Sequence, residues 1–282
     1  MGLEQSHAQR TFGPLEIRIA DQLSEDFLEK NSYAKRYRRL RKSFAKKLKS
    51  FSRDPNEVRT HDVRTAIRWL DASIELLPNK MRRVKKTRRF VKSCKKVMKE
   101  SAKVRDLDII AARISRHPQS ASKKKLLQRI EKNRKKRAEK AMCLADSTRK
   151  LTPPKADAKG LPTAKLQKRF SKALESLSDG VNSSLPIVLD DPTNADQIHT
   201  LRKYCKQMRY LFELATEETE EPEMVSTLRS WQDLLGNVHD GDVTISYLSK
   251  LKESREIEEM MATELRDRNH DYEKFVQTCI RS

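Results

Sequence analysis

The sequence predicts an all-α protein made of two copies of a four-helix unit. Three observations carry this. The composition favours helix: only six Gly, 36% charged residues, and an abundance of Lys, Arg, Glu, Leu and Ala. Apolar residues recur at steps of three and four along most segments, as one face of a helix requires. One such helix also occurs twice. In Arg59 to Leu77, His61, Arg64 and Arg68 stand off an apolar stripe of Val63, Ile67, Leu70, Ile74 and Leu77. In the second copy these become His199, Arg202 and Lys206, beside Leu201, Cys205, Met208, Phe212 and Ala215. Every pair is separated by the same 138 positions, the mark of an internal repeat.

Residues 1–30 read as an N-terminal arm, with a short helix near Ile17 to Glu29. A helix over Tyr33 to Phe51 follows. It buries Tyr37, Leu40, Phe44, Leu48 and Phe51, and carries a separate basic stripe of Lys35, Arg39, Lys42, Lys46 and Lys49. Asp54-Pro55-Asn56 is a turn before the repeat helix, Glu57 to Leu77, which Pro78-Asn79 ends. The third helix is expected over Lys80 to Ala102, with Val84, Val91, Cys94 and Met98 inside. Its other face is purely basic: Arg82, Lys85, Arg89, Lys92, Lys96 and Lys99. Cations in line repel, and solvated faces usually intersperse acids, so this stripe reads as an anion-binding face. Beyond a break at His117-Pro118, Ser120 to Lys150 is a long basic fourth helix.

The stretch from Pro153 to Pro162 reads as a linker between a first half, 31–152, and a second half, 163–282. The second half is expected to run as a helix from Thr163 to Val181, a loop from Ser184 to Pro192, and the repeat helix from Ala195 to Ala215. An acidic connection, Glu217 to Glu223, leads to a helix from Met224 to Leu235. Gly236-Asn237 is read as its break, and Ser254 to Ile280 as the last helix.

Val104-Arg105-Asp106-Leu107-Asp108 and Val238-His239-Asp240-Gly241-Asp242 form a second repeated pair. Two Asp at this spacing could ligate Mg²⁺ or Ca²⁺, but no further oxygen ligands follow. Pairing with an Arg or Lys of a neighbouring helix, or helix capping, is expected instead. Cys94, Cys143, Cys205 and Cys279 have no metal-ligand spacing and read as free thiols in a reducing compartment, the cytoplasm. No run is apolar enough to span a membrane.

Net charge is +21 and uneven. Residues 1–150 hold 43 Lys+Arg against 17 Asp+Glu, a balance of +26, and the remainder is at −5. Such a field attracts polyanions.

These residues resemble the CHAD domain family. Its first-half motif, H-x-x-R-x-x-x-R, is met by His61, Arg64 and Arg68. The second-half motif, H-x-x-R-x-x-x-K-x-x-R-Y, is met by His199, Arg202, Lys206, Arg209 and Tyr210. Val104 to Asp108 match V-R-D-L-D, and Gln232, Asp233, Leu235, Gly236 and Asp240 match a further motif, with Trp231 in place of its leading Leu. The resemblance covers roughly residues 30–282. It implies two four-helix bundles related by a pseudo-twofold, with a basic surface between them that binds inorganic polyphosphate, and a place near polyphosphate granules. The chain departs from the pattern at Trp69 and Asp71, where Arg is common or usual.

Residue chemistry agrees with a polyphosphate ligand, which has no bases to read and needs stripes of Lys and Arg. The expected contacts are Lys35, Arg39, Lys42, Lys46, His61, Arg64, Arg68, Lys85, Arg89, Lys92, Lys96, His199, Arg202, Lys206 and Arg209. Non-specific binding to a nucleic-acid backbone is the alternative, although 6% aromatic residues argue against base stacking. A phosphohistidine enzyme is a third reading, without a Gly-rich phosphate loop to support it. The sequence calls for no cofactor and no catalytic residue, and it names no protein partner.

Overall fold

The computed structural model describes residues 30–215, 223–252 and 254–281. The expected arm, its helix near 17–29 and most of the acidic connection lie outside them. Among the described residues there are nine α-helices and no strand. In the first half these are α1 (Lys30–Phe51), α2 (Glu57–Glu75), the single turn α3 (Asn79–Arg82), α4 (Lys85–Ser115) and α5 (Ala121–Arg149). In the second they are α6 (Thr163–Asp190), α7 (Ala195–Ala215), α8 (Glu223–Leu248) and α9 (Arg255–Arg281).

Local chemistry accounts for the starts. Asn56 caps α2 by accepting from Arg59 N at 2.9 Å, and Ser120 caps α5 by accepting from Lys123 N at 2.9 Å. Asn194 Oδ1 accepts from Gln197 N at 3.2 Å at the start of α7. The turn between α4 and α5 is fastened by the buried Lys123, whose ammonium donates to the carbonyls of Ser115 and His117.

Four expected boundaries are wrong, each for a physical reason. The helix expected to end at Ala102 runs on to Ser115, so the first twin-Asp stretch is helical, because Val104, Asp108, Ile110 and Ile114 are buried along it. It also begins later: Arg82 belongs to α3 and pairs with Glu75, so it leaves the basic stripe. The segment 184–192, expected as a loop, is helical as far as Asp190 despite Pro186, whose ring removes one ladder bond. Ser184, Leu185 and Val188 are buried, and the Tyr272 hydroxyl donates to the carbonyls of Val188, at 2.7 Å, and Leu189. Gly236-Asn237 does not break α8. A Cβ at 236 would meet Arg202 Nε at 3.5 Å, an ordinary contact, so the helix runs past this glycine close against a cation of the neighbouring helix.

In the first half α1 packs on α2 and α5, and α4 on α2 and α5. In the second, α7 lies between α6 and α8, and α8 packs on α9. Across the halves, α2 meets α7 and α4 meets α8. Equivalent helices therefore face each other, as a pseudo-twofold relation requires. One core cluster runs through both halves, and the segment expected as a linker adds Ala156 and Leu161 to it. The repeat stripe is its spine: Val63, Leu70, Leu201 and Met208 are all buried, worth about 1.5–3 kcal/mol apiece. A second cluster, with Ile110, Ile114, Leu126, Ile130, Leu248 and Met260, joins the C-terminal ends of α4 and α8 to the starts of α5 and α9. All four cysteines are unpaired, and only Cys143 is exposed.

Candidate functional site

The seam between the halves gathers the repeated residues. Arg64 and Arg68 of α2 meet Arg202, Lys206 and Arg209 of α7. Arg64 is pinned from behind, donating to Met98 O at 2.9 Å and Ser101 Oγ at 3.4 Å on α4. Arg209 donates to Gln232 Oε1 at 3.0 Å and Glu213 Oε1 at 2.5 Å, and lies over the Tyr210 ring at 4.9 Å. Trp69 packs against Tyr210 with ring centroids 4.9 Å apart and the rings tilted by 43°, so the departure from Arg at this position supplies an aromatic strut across the seam. Burial, then the charges of Arg68, Arg202, Arg209 and Arg64, push the Lys206 ammonium down to about 6. Burial and the neighbouring Arg68 also lower Arg64, to about 10.

Two carboxylates stand beside these cations. Burial raises Asp106, which Arg64 opposes and Asp240 of the other half reinforces. Burial likewise raises Asp240, with Arg202 opposing. Thus Arg64 serves Asp106 as Arg202 serves Asp240. The outer Asp of each pair is held by the following helix. Asp108 accepts from Arg134 Nε, and Asp242 from Arg268 Nε at 3.0 Å, in each case a residue 26 positions on in the following helix. These are the neighbouring-helix pairs the sequence suggested, and they brace the two halves identically.

The histidines differ. His61 is exposed, and burial followed by the charge of Arg105 lowers its pKa. His199 is half-buried against His239, ring centroids 4.7 Å apart. Burial and nearby cations hold His199 down at about 4 and His239 at about 3, so both are neutral at pH 7. Buried His199 Nδ1 and Arg202 Nε have no hydrogen-bond partner among the described residues. Both imidazoles line a cleft of about 890 Å³ between α4, α5, α7 and α8, together with Lys103, Lys136, Arg137 and Lys250.

Of the expected contacts, His61, Arg64, Arg68, His199, Arg202, Lys206 and Arg209 come together at this seam. Lys85, Arg89, Lys92 and Lys96 are exposed on α4. Their stripe continues through Lys99 and Lys103, at unbroken steps of three and four, into Leu107, Ile110 and Ile114. Those three belong to the cluster shared with Val243 and Tyr247 of α8, so the cations occupy the face of α4 that meets the other half. Lys35, Arg39, Lys42 and Lys46 are not part of this group. They stand exposed on the outer face of α1, opposite Tyr37, Phe44 and Leu48. Sequence reasoning missed Arg105, His239, Lys103, Lys136 and Arg137. The available signal was positional: His239 occupies, in the second twin-Asp stretch, the place of Arg105 in the first.

This defines a class: a duplicated helical domain closed around a cationic seam. The chain belongs to the CHAD domain family, whose model matches residues 60–249. The crystal structure of the CHAD domain from the plant Ricinus communis is similar in fold, with a TM-score of 0.64 at 12% identity, over 91% of this chain and 93% of that one. No curated protein matches. Among the described residues, no helix is long and apolar enough to cross a membrane.

Proposed function

We propose that this protein binds inorganic polyphosphate at the seam between its halves, without catalysis, in the cytoplasm and at polyphosphate granules. The observation that carries this is the convergence of Arg64, Arg68, Arg202, Lys206 and Arg209 from two helices. Burial first, and then their mutual repulsion, hold the Lys206 ammonium down at about 6. A chain of phosphate oxygens would relieve that repulsion and accept charge-assisted hydrogen bonds from each group. The α4 stripe extends the field with five cations, Lys85, Arg89, Lys92, Lys96 and Lys99, that form no ion pair among the described residues. Membership of the CHAD domain family supports the same ligand. Among the described residues no carboxylate is hydrogen-bonded to His199 Nδ1 to orient a nucleophilic imidazole, which favours binding over phosphotransfer.

Titration with polyphosphates of defined length tests the reading. Affinity falls steeply with added salt, because released counterions drive association with a polyanion. Binding that is insensitive to salt, or equal for polyphosphate and duplex DNA of matched charge, refutes it. Incubation with polyphosphate and Mg²⁺ releases no phosphate.

A further inference from the structure

The basic stripes of α1 and α4 look alike in sequence but lie on opposite sides of the first half. The two helices touch through Phe44 and Phe90, edge to face at 5.5 Å. On α1, Lys35, Arg39, Lys42, Lys46 and Lys49 stand roughly 140–180° round the helix from Phe44. On α4, Lys85, Arg89, Lys92 and Lys96 stand roughly 100–160° round from Phe90. Each stripe therefore points away from the other helix, with two helix thicknesses, about 20 Å, between them. The α1 stripe is exposed throughout and rises along about 21 Å of straight helix. Among the described residues none of its five cations is in an ion pair; the α1 lysine that does pair, Lys47 with Asp62, lies off the stripe. No exposed aromatic side chain interrupts it, so it offers charge without a platform for bases.

We infer that the outer face of α1 is a second docking surface for polyphosphate, so that one molecule holds two chains and bridges them. This rests on the polyphosphate reading above and adds a valency to it. A strand seated at the seam cannot also follow α1 without circling the bundle. Two surfaces on one rigid body convert a binder into a cross-linker, and joined chains gather further protein by raising its effective concentration.

The test compares the wild-type chain with K35E/K42E/K46E, in two measurements. At limiting long-chain polyphosphate, the affinity of the first binding event is the same in both. Near charge balance, the wild type scatters light strongly with long chains and not with tripolyphosphate, which is too short to be shared. The variant loses most of that scattering while its circular dichroism stays helical. Unchanged scattering in the variant overturns the bridging surface. An equal loss of first-event affinity also overturns it, by placing α1 in the same site as the seam. If the variant loses binding to duplex DNA that polyphosphate does not displace from the wild type, the surface takes a nucleic-acid backbone and the proposed occupant is wrong. A wild-type chain with no affinity for polyphosphate marks failure of the underlying reading instead.

Discussion

The two halves share a frame and differ in what they present. Asp108 with Arg134 and Asp242 with Arg268 are the same brace at the same spacing, tying the third helix of each unit to the fourth. Arg64 beside Asp106 repeats as Arg202 beside Asp240. Outside this frame the copies part. The first half has His61 exposed beside Arg105, and Arg105 is tethered to Glu57 at 2.6 Å. The second has His199 packed against His239, and Ala195 where Glu57 stands. The α4 stripe carries Lys92, Lys96 and Lys99; the matching stretch of α8 carries Ser226, Ser230 and Asp233. Residues that brace the helices are kept in duplicate, while the charged residues around them differ between the copies. A repeated helical frame thus carries a one-sided distribution of charge.

The largest effect should come from breaking the frame. Arg134→Ala leaves Asp108 buried without its cation and should cost about 3–5 kcal/mol in urea denaturation. Arg268→Ala should cost somewhat less, because Asp242 is partly exposed. The folded-state pKa of Asp108 is already raised by burial, and removal of Arg134 raises it further. At high pH the variant therefore holds an unpaired carboxylate. As pH falls through that raised value the carboxyl takes up a proton, and the penalty shrinks. A penalty independent of pH would show that the pair is not the cause.

The next effect concerns the one-sided field. Reversing Lys85, Lys92 and Lys96 to Glu should weaken polyphosphate binding roughly 100-fold, because three solvent-screened attractions turn into repulsions. Reversing Lys165, Lys168 and Lys172 should weaken it far less. Both variants should stay helical by circular dichroism, since all six side chains are exposed. Equal weakening by the two triple variants would make the site symmetric.

A smaller effect is proton linkage in the second half. Lys206, at about 6 in the free protein, is mostly neutral at pH 8, and a bound polyanion favours its charged form. Affinity should rise as pH falls from 8 towards 6, by at most about tenfold per unit for one proton taken up, and then flatten. Calorimetry in buffers of different ionisation enthalpy counts the proton. Lys206→Met should remove the slope, and a slope that persists assigns it to another group.

The smallest effects separate the histidines. His199→Gln should weaken binding by about 1 kcal/mol, the worth of one hydrogen bond. His61→Gln should weaken it less, since that side chain is exposed to competing water. Acid-labile phosphate on either residue after incubation with polyphosphate would contradict a pure binding role.

Periodicity and repetition determined the helical class, the pairing of halves, the core stripe from Val63 to Leu77, and six of the seven seam residues; Arg209, whose counterpart is Asp71, came from the family resemblance alone. These are local or translational properties: a 3.6-residue period and a constant offset are written along the chain. The same reasoning stopped α4 at Ala102, α6 at Val181 and α8 at Leu235. Burial against other helices outweighed Pro186 and Gly236, and burial is not a property of a segment alone. It also listed the α1 and α4 stripes together as contacts of one ligand, because like charges at like spacing look equivalent in a string. Only the Phe44–Phe90 contact decides that they point apart. The seam itself, where Lys206 meets four arginines and His199 meets His239, depends on which helix faces which across the pseudo-twofold. That choice is made by the packing of the whole core.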